Sequence, residues 1–157
     1  MIVIDLADET ATSELAARVA RLARRCDVIA LKGELGCGKT TFARAFIRAW
    51  VGHEDEIPSP TFTLVQTYKP DASESAAVWH FDLYRLRGPE EAWELGIDEA
   101  FGEGVSVIEW PERLGSLLPP RRLQITLEFG DRPSARRACL DPGTGWEARL
   151  STIAADA

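Results

Sequence analysis

The run Gly33-Glu34-Leu35-Gly36-Cys37-Gly38-Lys39-Thr40-Thr41, one residue after the apolar stretch Asp27-Val28-Ile29-Ala30-Leu31, constrains this chain more than any other feature. Gly33, Gly38, Lys39 and Thr40 fill every specified position of the phosphate-loop pattern G-x-x-x-x-G-K-[ST]. Glycines at 33, 36 and 38 let the backbone curl so that successive N–H groups converge on an anion without Cβ interference. Lys39 adds a mobile cation for β- and γ-phosphates, and the Thr40 hydroxyl suits Mg²⁺, which takes oxygen ligands in near-octahedral geometry. The preceding apolar run suits a buried parallel strand, and Phe42, Ala45, Phe46, Ala49 and Trp50 follow at helical spacing. Strand, glycine loop and helix therefore come in the order that adds a helix dipole to an anion site, within an α/β plan.

The remaining elements are read from periodicity and punctuation. Residues 2–6 predict a strand, and Leu15, Val19 and Leu22 mark the buried stripe of a helix over 13–24 with Thr10 or Thr12 as N-cap. Capping is the plainer role for Glu9 and Thr12, with closure over a nucleotide as the alternative. Gly52 stops the loop helix. The β-branched and aromatic runs 61–68 and 77–83 predict an antiparallel hairpin inserted into the α/β plan. A short helix over 89–95 closes at Gly96. The strand Val105–Glu109 follows, then a short helix from Trp110 that stops at Pro119-Pro120. Strict alternation over Leu123–Phe129 predicts a half-buried strand that pairs with 135–140, and the tail from Trp146 predicts a short helix fraying from Ala154.

At 157 residues with 45% hydrophobic content the chain suits one domain with a substantial core. A formal net charge of −7 lacks the basic footprint of a protein that holds nucleic acid by itself, so any RNA contact falls to a partner. Cys26, Cys37 and Cys139 are odd in number and far apart, without a C-x-x-C pair, which suggests reduced thiols in a cytoplasmic protein. No apolar run approaches the ~20 residues of a membrane span.

Two acids are placed to reach the carboxyl edge of a parallel sheet, where ligands sit in α/β folds. Glu109 ends an apolar strand, the position of an acid that holds Mg²⁺ or aligns an attacking water. Asp82 is read as a metal ligand, against an ion pair with Arg85 or Arg87. Alternation puts it on one strand face with His80, opposite Trp79 and Phe81. His80 is expected to be hydrogen-bonded beside the acid rather than to act as a base. In the stiff segment Pro58-Ser59-Pro60-Thr61, Ser59 or Thr61 is expected to present a hydroxyl to a γ-phosphate as a switch loop does. Trp110 either stacks on a nucleobase or packs in the core. Cys37 sits in the loop near a helix N-terminus, a setting that lowers a thiol pKa, but it is read first as a small residue tolerated there, with a reactive thiol as the alternative.

Together, Gly33-Glu34-Leu35-Gly36-Cys37-Gly38-Lys39-Thr40-Thr41, Ser59-Pro60-Thr61-Phe62-Thr63-Leu64-Val65, His80-Phe81-Asp82-Leu83-Tyr84-Arg85 and Ile108-Glu109-Trp110-Pro111-Glu112 resemble the bacterial TsaE proteins in order and spacing. These are P-loop ATPases required to form threonylcarbamoyladenosine in tRNA. The resemblance covers about residues 10–130. It implies a P-loop NTPase-type fold with a mixed central β-sheet flanked by helices, ATP/ADP and Mg²⁺ as ligands, and work with TsaB and TsaD subunits, tRNA being reached through that complex. By position it implies that Gly33, Glu34, Leu35, Gly36, Cys37, Gly38, Lys39, Thr40 and Thr41 bind the nucleotide, with Thr61 and Trp110 near it. Lys39, Asp82 and Glu109 are the implied catalytic residues, and Thr40, Asp82 and Glu109 the implied metal site. Cys37 departs from the alanine or serine more often found there. No N-K-x-D segment for guanine occurs. A small-molecule kinase using Arg85 and Arg87, and a non-catalytic nucleotide-dependent scaffold, remain as alternatives.

Overall fold

In the computed structural model, which describes residues 1–52, 57, 60, 62–71 and 75–156, the chain opens with β1 (Ile2–Leu6) and α1 (Glu9–Leu22). The helix starts a full turn earlier than the periodicity predicts, because Asp8 and neither threonine is the cap. Asp8 is extended, at φ −159°, and its carboxylate accepts the Ala11 N–H at 2.9 Å. Thr12 is instead turned inward and buried. An aspartate N-cap satisfies an orphan first-turn donor and is worth about 1 kcal/mol.

Next come β2 (Val28–Lys32) and α2 (Lys39–Val51), the latter ended by Gly52 in the left-handed conformation at φ 84°. Strands β3 (Val65–Tyr68) and β4 (Val78–Asp82) pair antiparallel, Val65 opposite Phe81 and Tyr68 opposite Val78. β4 also pairs in parallel with β5 (Val105–Glu109), so the predicted hairpin is not a separate appendage. Its second strand belongs to the parallel core, and only β3 extends the edge. Between β4 and β5 lie α3 (Glu91–Glu94) and α4 (Ile97–Glu103). Gly96, at φ 84°, turns the chain between them, and α4 is an addition to the elements read from sequence. A 3-10 segment over Pro111–Leu117, broken at Gly115, leads to β6 (Leu123–Phe129), β7 (Arg136–Pro142) and α5 (Glu147–Asp156).

The strands form one mixed seven-stranded sheet in the order β1-β7-β6-β2-β5-β4-β3. β6, β2, β5 and β4 run parallel at its centre, while β7 pairs antiparallel to β6, and β1 to β7. Alternating strand residues feed two cores. Ile29, Leu31, Val78 and Val107 pack with α1, α2 and α5 on one face. Val28, Phe81 and Ile108 pack with α3, α4 and Leu114 on the other. The tail helix is anchored: Trp146, Leu150 and Ile153 are each at most 2% exposed. No helix among the described residues is long and apolar enough to cross a membrane.

Candidate functional site

The sheet delivers three consecutive strand ends to one place. β2 ends at Lys32, residues 33–38 form the loop, and α2 begins at Lys39. Two glycines are required by geometry. Gly38, the residue before the helix, has φ 107°, and Gly33 has φ 148°. A Cβ on Gly33 would meet the Cys37 sulfur and come within 2.5 Å of the Leu127 carbonyl oxygen of β6, a backbone atom that cannot swing aside. Gly33→Ala is therefore expected to lower the thermal melting midpoint, reflecting about 1–3 kcal/mol of strain, and to weaken anion binding by the loop. A variant that melts and binds like the parent would show that the loop tolerates displacement.

Because α2 starts at Lys39, its first-turn N–H groups have no intrahelical acceptors and face past the helix end. The Lys39 ammonium is buried and donates to the carbonyls of Gly33 at 2.6 Å and Glu34 at 2.8 Å. It also lies 4.2 Å from the Trp110 ring centroid, a cation–π contact. Trp110 holds this position at a conformational cost. Its backbone is left-handed, φ 60° and ψ 51°, immediately before Pro111, an arrangement costing a non-glycine residue about 1–2 kcal/mol. Tyr84 buttresses the indole from β4's side, with ring centroids 5.0 Å apart. Trp110 is thus half-buried, facing the site on one side and packed against the α3–α4 core on the other.

Parallel register places Leu31 beside Glu109 and Glu109 beside Asp82, so both acids stand at the carboxyl edge next to the loop. Glu109 is only 2% exposed and is held at both oxygens. Oε1 accepts the Thr40 hydroxyl at 2.8 Å, and Oε2 lies 2.7 Å from His80 Nε2, within hydrogen-bond distance. His80 is fully buried and its Nδ1 has no protein partner, so its visible task is to fix Glu109. A hydrogen-bonded histidine beside the acid is the expectation from sequence, and the bond goes to Glu109; Asp82, next on the same strand face, accepts the Tyr84 N–H at 3.2 Å. Strand alternation itself is as predicted, with Trp79 and Phe81 stacked on the opposite face at 6.2 Å.

A cavity of about 430 Å³ connects these groups, lined among others by Gly36, Lys39, Thr40, Asp82, Glu109 and Trp110. Thr41 lines it as well and also faces a smaller cavity with Gly36, Gly38, Glu9 and Thr12, which brings α1 to the loop's other side. Leu35 stands exposed at the loop tip. Thr61, with Pro58 and Ser59, lies outside the described residues. Cys37 fits the reading of a small residue tolerated in the loop, and not that of a reactive thiol. Its side chain is fully buried behind the loop, and burial pushes the thiol pKa up, outweighing the opposing charges of Lys39 and Arg136.

The donor set suits a metal that is shared with phosphate. Among the described residues no three His, Cys, Asp or Glu side chains converge as a metal site. What the cavity supplies is one hydroxyl and two carboxylates. Mg²⁺ is commonly held by one or two carboxylates plus phosphate oxygens and water, so Thr40, Asp82 and Glu109 fit it only in company with a phosphorylated ligand.

A mixed sheet with a parallel centre, carrying a glycine loop, a lysine-led helix and strand-end acids around one cavity, defines an α/β protein with a loop-and-helix site at its carboxyl edge. The TsaE family, described as threonylcarbamoyl adenosine biosynthesis protein TsaE, matches residues 6–138, and the chain belongs to that family. Among its relatives is the tRNA threonylcarbamoyladenosine biosynthesis protein TsaE of Rickettsia felis, 41% identical over 126 residues, covering 80% of this chain and 72% of the relative. The Bacillus subtilis protein of the same name is 37% identical over 118 residues, covering 74% and 71%. The crystal structure of YdiB from Bacillus subtilis superposes with a TM-score of 0.77 at 28% identity, covering 99% of this chain and 94% of that one.

Proposed function

We propose that this chain is the ATP-binding and ATP-hydrolysing subunit required for threonylcarbamoyladenosine modification of tRNA, acting in the cytoplasm as one P-loop domain with TsaB and TsaD. The observation that carries the reading is the placement of Glu109, gripped by Thr40 at 2.8 Å and His80 at 2.7 Å, beside the loop that Lys39 closes. An acid so fixed cannot wander. It is suited to orient water toward a terminal phosphate while the loop N–H groups and Lys39 stabilise charge on the transferring group.

ATP binding on this reading draws Lys39 from the Gly33 and Glu34 carbonyls onto phosphate oxygens. Thr40, Asp82 and Glu109 would hold Mg²⁺, which neutralises charge on the phosphates. Trp110 and Tyr84 form the wall facing Lys39 and exclude water from it. The acidic net charge of −7 supports a subunit that engages protein partners while another subunit holds tRNA.

The test is ATP turnover by the wild-type chain alone and with a TsaB–TsaD pair, with tRNA modification scored in parallel. Slow turnover alone, acceleration by the pair, and modification that depends on this chain are expected. Fast turnover indifferent to the pair would overturn the partnership. Tight ATP binding without any hydrolysis would overturn the enzymatic reading in favour of a scaffold.

A further inference from the structure

Arg136 opens β7, seven residues beyond the last strand position of β6 and far in sequence from the loop, yet its guanidinium ends at the loop's back. Nε donates to the Cys37 carbonyl at 3.1 Å, and Nη2 reaches the Gly36 carbonyl at 3.5 Å. Nη1 donates in the other direction, to the carbonyls of Pro133 and Ala135, each at 2.8 Å. The Phe129 ring supports the group at 4.8 Å. One planar cation thus ties the loop to the β6–β7 turn. We propose that Arg136 is a positioning residue of the phosphate site: by holding the Cys37 and Gly36 carbonyls outward, it keeps the Gly38 N–H turned inward to the ligand and the Cys37 N–H closed on the Glu34 carbonyl.

The reason lies in peptide geometry. The C=O of one residue and the N–H of the next belong to one rigid plane and point oppositely. Fixing the Cys37 carbonyl on Arg136 therefore aims the Gly38 N–H the other way, and fixing the Gly36 carbonyl does the same for the Cys37 N–H, which donates to Glu34 at 3.2 Å and closes the turn. Left-handed glycines at 36 and 38 would otherwise let these planes flip at small cost. Lysine is no equivalent substitute. It offers a point charge on a flexible stem and cannot span both sets of carbonyls as a guanidinium fork does.

This inference rests on the reading of the loop as a phosphate site, but one arm of its test does not. In nucleotide-free protein, the alkylation rate of Cys37 is followed by peptide mass spectrometry, which separates it from exposed Cys26 and half-buried Cys139. Arg136→Ala is expected to speed Cys37 alkylation severalfold as the loop loosens. Loss of the arginine's charge alone would act the opposite way, since that charge lowers the Cys37 pKa. The affinities for ATP and for inorganic tripolyphosphate are expected to fall together, by about tenfold, the value of a charged hydrogen bond. Arg136→Lys should recover only part of each. It also serves as the readable variant should Arg136→Ala fail to fold, with melting monitored for all three proteins.

Unchanged Cys37 protection would overturn the proposal, whatever happens to stability. So would weaker ATP binding with tripolyphosphate binding intact, which would make Arg136 a nucleoside contact. If the wild type binds neither ligand, the proposed function fails, and Cys37 protection alone still decides whether Arg136 orders the loop.

Discussion

Glu109→Gln is expected to lower ATP hydrolysis by about a hundredfold to a thousandfold, the range for losing a positioned proton acceptor or a preorganised electrostatic group, while ATP binding changes little. The substitution is nearly isosteric, and its hydrogen bonds can be re-formed. The glutamine oxygen can accept from His80 Nε2, and the Thr40 hydroxyl can rotate to accept from the amide N–H. Fold and loop therefore survive, and the loss falls on water orientation and metal neutralisation. Glu109→Asp makes the complementary point. It keeps the charge but withdraws it by one methylene, out of simultaneous reach of Thr40 and His80, so its hydrolysis should also fall. Single-turnover phosphate release, with binding followed by calorimetry, separates the two effects. Full hydrolysis by the glutamine variant would remove Glu109 from the chemistry.

What could be seen in the sequence was chemistry that is local in the chain. The glycine loop, Lys39 and Thr40 are contiguous over residues 33–40, so their meeting needs no knowledge of the fold. The strand-end position of Glu109 follows from a short apolar run. The grip on Glu109 was not legible, because it depends on β2, β5 and β4 lying side by side with Leu31, Glu109 and Asp82 in register. A one-residue slip would have turned His80 to the other face. The same limit explains β4. A strand that pairs antiparallel with its neighbour in sequence and parallel with a distant one reads locally as half of a hairpin. Arg136 carries no motif at all, and only the return of β7 alongside β6 brings it behind the loop. The earlier start of α1 is a smaller lesson: Asp8, Thr10 and Thr12 all have capping side chains, and only the structure shows that it is the Asp8 carboxylate that takes the first-turn Ala11 N–H.

Beyond the matched residues 6–138, a buried charged pair joins the apolar side chains of α5 in tying it to the sheet, and Arg149→Ala is expected to cost about 3–5 kcal/mol. Arg149 sits in α5 and is 9% exposed, while Asp27, just before β2, is 6% exposed. The pair is bidentate, at 2.6 and 3.0 Å. Every other visible contact is also used: Arg149 donates to the carbonyls of Leu22 at 2.9 Å and Gly145 at 3.0 Å, and its guanidinium lies 3.8 Å from the Trp146 centroid. Asp27 in turn accepts the Arg24 N–H at 2.6 Å. Removing the arginine leaves a carboxylate in a site built to exclude water, and the cost is mainly that of the stranded charge. Urea or thermal unfolding checks the size of the effect. The double variant Asp27→Leu with Arg149→Met should recover much of the loss, because no charge is left unpaired. Asp27 and the glycine loop lie at opposite ends of β2. ATP affinity measured well below the melting midpoint should therefore stay at the wild-type value, and a shared loss of affinity and stability would mean that α5 supports the site through the strand.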